Sequence, residues 1–530
     1  MRLPSRDPAT SPKVCGVDSE LGNVLVGAAL RTAGVGTGRE ASRALLRKVQ
    51  GVARCGLQPV SGSGYNPQDW GRKYLPSNGG CIYIDLDHLE LCIPEVLSAY
   101  DHLAAWHAML RIARDALDAA NEDLPAGQKI VVLVNSSDGQ GHSYGSHLSI
   151  QLTRAAWDNI FLRKAHHMLF LASYLASSVI FTGAGKVGSE NGRPPVKFQL
   201  SQRADFFEVL SGIETTFRRP LVNSRDESLG RSESTARLHV IFFDNTLCHR
   251  SSLLKVGVTQ IVLAMIEQEY VSCDLLLDDP VAAVGAWSRD PSLETKARLA
   301  SGGSYTALEL QWSLFEKASR FVASGRATGV VPRARDILAL WEDTLEKLET
   351  DVAALAPHLD WVLKKTIIER AIERNGFEWS SPKVKLLDLF YSSLDSEEGL
   401  YWIHERAGSL ERLVTDARIE RFVHTPPADT RAWTRAQLLR KWGRLVDDID
   451  WDRIRFRIPG EGYWCQYRSF DMPDAQGLTR KEVGSILKDA QGLNEVLDRL
   501  EELFANSQEV VSPRVHVPDP VPERDTEKRC

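Results

Sequence analysis

Apolar and polar positions alternate most clearly in NGGCIYIDLDHLELCIPE, residues 78 to 95. Read as one strand, this segment puts Tyr83, Asp85 and Asp87 on one face and Ile82, Ile84 and Leu86 on the other. One face is apolar and the other acidic, which suits either an edge strand with a wet face or a carboxylate wall that holds a divalent metal or positions a general base. Further strands are predicted in VCGVDSELGNVLVGAAL, QKIVVLV, HLSIQL and RLHVIFFDN. Helical periodicity marks ASRALLRKVQGVAR, a run from about Pro94 to Asn121 with Pro94 in its first turn, most of 153 to 180, LLKVGVTQIVLAMIEQEY, and the chain from Thr306 onward. PVSGSGYNPQDWGRKYLPSNGG is dominated by turn formers and reads as a functional loop or lid.

These patterns divide the chain into a disordered start at 1–13, a main domain at 14–428, a small C-terminal domain at 429–508 and a Pro-rich, charged, disordered tail at 509–530. The small domain carries the basic helix RAWTRAQLLRKWGRLVDDI and the strand WDRIRFRIP.

Composition narrows the class. With 43% hydrophobic and 25% charged residues, the chain reads as a globular protein with a large core. A formal net charge of -6 gives no global basic field, so nucleic acid is not an expected partner. The eight cysteines show no CxxC pair, which argues against a zinc site and a disulfide framework and for reduced thiols in the cytoplasm. MLFLASYLASSVIF, the most apolar run, is too short and Ser-rich to span a bilayer, so no membrane is expected. The sequon at Asn135 is then accidental.

The candidate chemistry gathers on the strands. In GVDSELG, Asp18 and Glu20 point to one face, where two desolvated carboxylates repel unless a cation offsets them. Mg2+ prefers oxygen ligands and usually also reaches substrate phosphates, so Asp18, Glu20 and Glu90 suit one or two Mg2+ with a nucleotide. His147 and His239, on or beside strands, are either further metal ligands or hydrogen-bonded core residues. Arg225 and Arg237 match phosphate oxygens in shape, or else form surface ion pairs with Asp226 or Glu233. FTGAGKVG lacks the GxxxxGK[ST] spacing, and HRSS near Asp244 lacks a GxSxG elbow, so neither a phosphate loop nor a serine hydrolase is indicated. The adjacent His166 and His167 lack zincin spacing.

Taken in order, these stretches resemble the Pup ligase and Pup deamidase/depupylase family. GVDSELG is similar to the family's G-x-E-x-E-x-G strand, and NGGCIYIDLDHLELCIPE to its N-G-A-R-x-Y-x-D-x-x-H-P-E-Y-x-x-P-E segment. The likeness continues through DGQGHSYGSH, FQLSQRADFFEVLSGIETTFRRPLVNSRDE, RLHVIFFDN, LLDLFYSSLDSEEGLY and VHTPPADTRAW, over most of 14 to 455. It implies an α+β fold like that of glutamine synthetase, a concave antiparallel sheet with packed helices that carries Mg-ATP, plus the small C-terminal domain. Asp85 falls on the family's catalytic aspartate. Asp18, Glu20, Tyr83, Glu90, His147 and His239 fall on metal-site positions, and Arg225, Arg237, Arg431 and Arg435 match arginines around the phosphates and the transferred carboxyl.

QRADFFEVLSGIETT and LDLFYSSLDSEEGLY look more like the deamidase/depupylase branch than the ligase branch. The resemblance therefore implies an ATP- and Mg2+-dependent amidohydrolase. It would act on a C-terminal Gln carboxamide, or on the isopeptide bond joining a Pup-like protein that ends in Gln or Glu to lysines of its targets. An ATP-consuming Pup-like protein ligase and an inactive tail-binding module are the alternatives. Asp18 in place of the family's first Glu, Leu89 in place of Pro, and Leu148-Ser149 in place of Glu-Asn after the histidine mark a divergent member.

Overall fold

The computed structural model describes residues 10–27, 37–53, 71–227, 233–460 and 465–509. The first twelve residues of the turn-rich stretch PVSGSGYNPQDWGRKYLPSNGG, 59–70, lie outside these residues, as do 1–9 and the tail 510–530. Eight strands build the main sheet: β1 (Cys15–Val26), β2 (Val52–Ala53), β3 (Lys73–Tyr74), β4 (Cys81–Asp85), β5 (His88–Cys92), β6 (Lys129–Leu133), β7 (Ser146–Thr153) and β8 (Thr235–Val240). Their order is β8-β7-β1-β5-β4-β3-β2, with β6 paired to the far end of β1, and every pairing is antiparallel.

Period-two alternation determines which side of the sheet meets the helices. Val17, Leu21, Ile82, Ile84, Leu89, Leu91, Leu148 and Ile150 are buried members of the hydrophobic core, which also takes in α1 (Thr37–Lys48), α2 (Ala99–Glu122) and the helix His249–Glu267. Each such side chain contributes about 1.5–3 kcal/mol on burial. A one-residue slip of any strand would turn its acids into this layer, so the register is strongly specified. Together with the helices that follow, the architecture is α+β.

Two elements differ from the reading of the sequence. The acidic segment is a hairpin rather than one strand: the chain reverses at Leu86, which has φ of +50°, and Asp87. Asn23 and Ser42 hold the turn by donating to the Asp87 carbonyl at 3.2 and 2.7 Å, and Asn23 Oδ1 accepts from the Leu89 amide at 3.1 Å. Asp87 thus leaves the acidic face and pairs with Arg39 at the surface. Likewise α2 begins at Ala99 with Ser98 as its N-cap, and Pro94 lies outside it. The segment before the helix follows β1 instead, with reciprocal backbone bonds between Cys15 and Val96 at 2.8 and 2.9 Å.

Helix Ala165–Thr182 is long and apolar enough to cross a membrane, yet 78% of that window is buried inside the molecule, as befits a core helix. The six described cysteines are free thiols. The chain forms two compact units, Met1–Glu482 and Val483–Cys530. The first includes helix Ala432–Trp442 and a three-stranded sheet of Val446–Ile449, Arg453–Pro459 and Cys465–Asp471; the described part of the second is helical.

Candidate active site

Strand register brings the acids together. Asp18 on β1 lies opposite His147 on β7 and Cys92 on β5. One step along, Glu20 faces Glu90, which in turn faces Tyr83 on β4. At the end of the hairpin Asp85 faces His88, and on β8 His239 faces Ser149. Directly opposed residues share a sheet face, so side chains from Asp18 to His239 converge on the side away from the apolar layer.

This face is electrostatically unbalanced. Burial holds the Glu90 carboxyl well above the usual range, and Glu20, Asp18 and Asp85 add repulsion that a Tyr83 hydrogen bond only partly offsets. Glu90 Oε2 is buried without a hydrogen-bond partner among the described residues. Burial also raises the Asp18 carboxyl, against the pull of Arg237, whose Nη1 is 4.0 Å away. Glu20 has closer partners: His88 Nδ1 stands 3.0 Å from its Oε2, and the Gly145 amide donates to Oε1 at 3.4 Å. The His147 and His239 rings meet edge-on with centroids 5.1 Å apart, and burial drives both pKa values down, that of His239 to about 3. Neutral imidazoles are the form that ligates metals.

Repelling carboxylates, an orphaned buried oxygen and neutral histidines fit a hard divalent cation. Among the described residues no three His, Cys, Asp or Glu side chains already form a closed metal cage. That is compatible with Mg2+, which commonly uses one or two carboxylates and completes its shell with water and phosphate oxygens.

The four arginines singled out in the sequence separate into two pairs. Arg237 borders the acidic face, near Asp18 and 3.3 Å from Glu227. Arg225 is partly exposed, 3.6 Å from that same Glu227 rather than from Asp226 or Glu233. By contrast, Arg431 and Arg435 are buried and grip Glu95 through bonds of 2.8 and 3.0 Å, with further bonds to the carbonyls of Met472, Gly79 and Trp451. Here their forks tie helix Ala432–Trp442 to the sheet.

Two other arginines escaped the sequence reading. Arg203 and Arg219 are buried, and neither has a carboxylate in ion-pair reach among the described residues. Arg203 donates to Ser143 Oγ at 3.2 Å and the Ile241 carbonyl at 2.8 Å, and Arg219 to the Ser143 carbonyl at 2.8 Å. Burial and the neighbouring Arg219 push the Arg203 guanidinium down to about 9. Both act on the His147 imidazole. Buried cations without counter-ions are suited to an incoming anion. The signal was within reach, since Arg203 sits in the FQLSQRADFFEV block.

Beside Asp18 opens a narrow cleft of about 90 Å3, lined by Asp18, Gln151, Arg237, Glu95, Arg431 and Trp451 among others. An α+β protein whose antiparallel sheet gathers buried carboxylates and histidines on one face, with guanidiniums that have no carboxylate partner among the described residues beside them, belongs among proteins built to handle anionic groups. Residues 39–455 match the Pup-ligase protein family, and the chain belongs to that family. A depupylase of Acidothermus cellulolyticus is 36% identical over 426 residues, 80% of this chain and 82% of that protein. The crystal structure of the complex between the prokaryotic ubiquitin-like protein Pup and its ligase PafA superposes with a TM-score of 0.74 at 26% identity, covering 96% of this chain and 99% of that one. The structure of PafA with ADP gives 0.69 at 27% identity, covering 91% and 99%.

Proposed function

We propose that this chain is an Mg-ATP-dependent amidohydrolase of the Pup deamidase/depupylase type. Its substrate would be a C-terminal Gln carboxamide or an isopeptide bond between a Pup-like tail and a lysine. The observation that carries this reading is the position of Asp85. It is a partly exposed carboxylate at the end of the β4–β5 hairpin, on the same face as Glu90, Glu20 and Asp18. Similarity to a depupylase supports the hydrolytic direction, and the likeness to PafA solved with ADP supports a bound nucleotide.

Asp18, Glu20, Tyr83, Glu90, His147 and His239 would hold Mg2+, which supplies positive charge against phosphate and carboxyl oxygens when bound. Arg203, Arg219 and Arg237 stabilise the oxyanion that develops at the carbonyl. Asp85 attacks that carbonyl or takes a proton from the water that does; the C–N bond breaks as the nitrogen takes up a proton and leaves as ammonia or the lysine amine, and after direct attack water hydrolyses the aspartyl anhydride to restore Asp85. The cleft beside Asp18 and Trp451 takes the nucleotide base. We assign Arg225 to the rim, where its side chain can swing from Glu227 to phosphate.

The test is intact-mass analysis of a Pup-like tail conjugated to a lysine of a carrier protein, incubated with this chain and Mg-ATP. Release of free tail and carrier supports the proposal. The likeness to a Pup ligase favours a second reading, in which separate tail and carrier become joined with release of ADP. Asp85→Asn should abolish turnover and leave Mg-ADP affinity within about threefold of wild type. A variant with normal rates removes Asp85 from the mechanism.

A further inference from the structure

Arg72 precedes β3, whose Lys73 pairs with Ile82, so one step back it comes to lie across from Tyr83. Its guanidinium carbon sits 3.7 Å from the centroid of the Tyr83 ring. That ring is itself buried, and its hydroxyl serves Glu90. Among the described residues, the buried Arg72 Nε has no hydrogen-bond acceptor and no carboxylate stands within ion-pair distance of the side chain.

A purely structural role fits this poorly. Glu90 also has an unpartnered buried oxygen, and both residues touch Tyr83, yet they do not pair. Leaving complementary groups unsatisfied on either side of one ring forgoes the strongest bond available there. The arrangement makes sense if each is reserved, Glu90 for a cation and Arg72 for an anion. Stacking on the aromatic face fixes the guanidinium plane while its N–H edge remains able to donate, so the fork is preorganised. Its charge also reaches Asp18, Cys81 and Cys92, on the row of the sheet next to Tyr83 and Glu90.

We propose that Arg72 is an anion-contacting residue of the site, donating to a phosphate or carboxylate oxygen of the bound ligand on the Tyr83 side of the acidic face. Arg203 and Arg219 act at the His147 end, so anionic groups are held from two sides with the carboxylates between them. This rests on the reading of the acidic face as the Mg-nucleotide and tail site.

Calorimetric titration of the full chain with Mg-ADP, and separately with a synthetic peptide ending in glutamate, tests it on wild type, Arg72→Ala and Arg72→Lys. Arg72→Ala should weaken one of the two ligands by about tenfold or more, Mg-ADP if the oxygen is phosphate and the peptide if it is carboxylate. Arg72→Lys should recover part of that loss, and the ligand-free melting temperature should stay within about 2 °C of wild type. If both affinities remain within about twofold of wild type, Arg72 is a structural cation and the proposal fails. A variant that melts earlier but binds normally once folded overturns it too. If wild type binds neither ligand, the acidic-face reading itself falls and takes this inference with it.

Discussion

Glu90 shows at the scale of one residue why this site calls for a cation. Its carboxyl titrates well above the usual range because of burial, then because of Glu20 and Asp18. As pH rises past about 5, the unfolded chain ionises this group while the folded chain still holds the proton, so ligand-free stability falls through that window. Glu90→Gln should flatten the decline and remove stabilisation by Mg2+, both read from melting curves between pH 5 and 8 (about the range where most folded chains stay intact). Gly145 makes a steric prediction. A Cβ there would lie 2.4 Å from His147 Nε2 and 3.0 Å from Arg203 Nη1. Gly145→Ala should therefore cost about tenfold in Mg-nucleotide affinity, measured by titration, with an unchanged far-UV circular dichroism spectrum.

At the scale of elements, alternation correctly placed Tyr83 and Asp85 opposite Ile82 and Ile84, but it missed the reversal at Leu86. No Gly or Asn marks that turn, and its anchors, Asn23 and Ser42, lie 64 and 45 residues from Asp87. Family likeness led to Arg431 and Arg435, yet local sequence holds no hint that Glu95 saturates both. Glu95 has its own stability consequence. Burial alone would raise its carboxyl, but Arg435 and Arg431 pull it down to about 2. Its contribution is therefore complete above the normal carboxylate range and disappears only as pH falls through about 2. Glu95→Gln leaves two guanidiniums buried without a counter-charge and should cost about 3–5 kcal/mol in urea denaturation at pH 7.

For the molecule as a whole, ligand binding should appear as stability. Mg-ATP at a hundred times its dissociation constant should add about 2.7 kcal/mol, seen as a higher melting temperature. A chelator should erase that gain without unfolding the protein, since the large apolar core does not depend on metal. A melting temperature indifferent to Mg-ATP would count against the cleft as a nucleotide site. By itself the sequence determined most of the strands, the shared face of Tyr83 and Asp85 and that of Asp18 and Glu20, and the family, because period-two alternation and long motif blocks are local in the chain; the hairpin that brings Glu90 onto that face came from the tertiary structure. Only the tertiary structure decided that Glu90 has an orphaned oxygen and that Glu95 holds Arg431 and Arg435. It also decided that Arg72, Arg203 and Arg219 stand near the acids with no carboxylate partner among the described residues. Those properties depend on strand register and on burial, which arise between segments far apart in sequence.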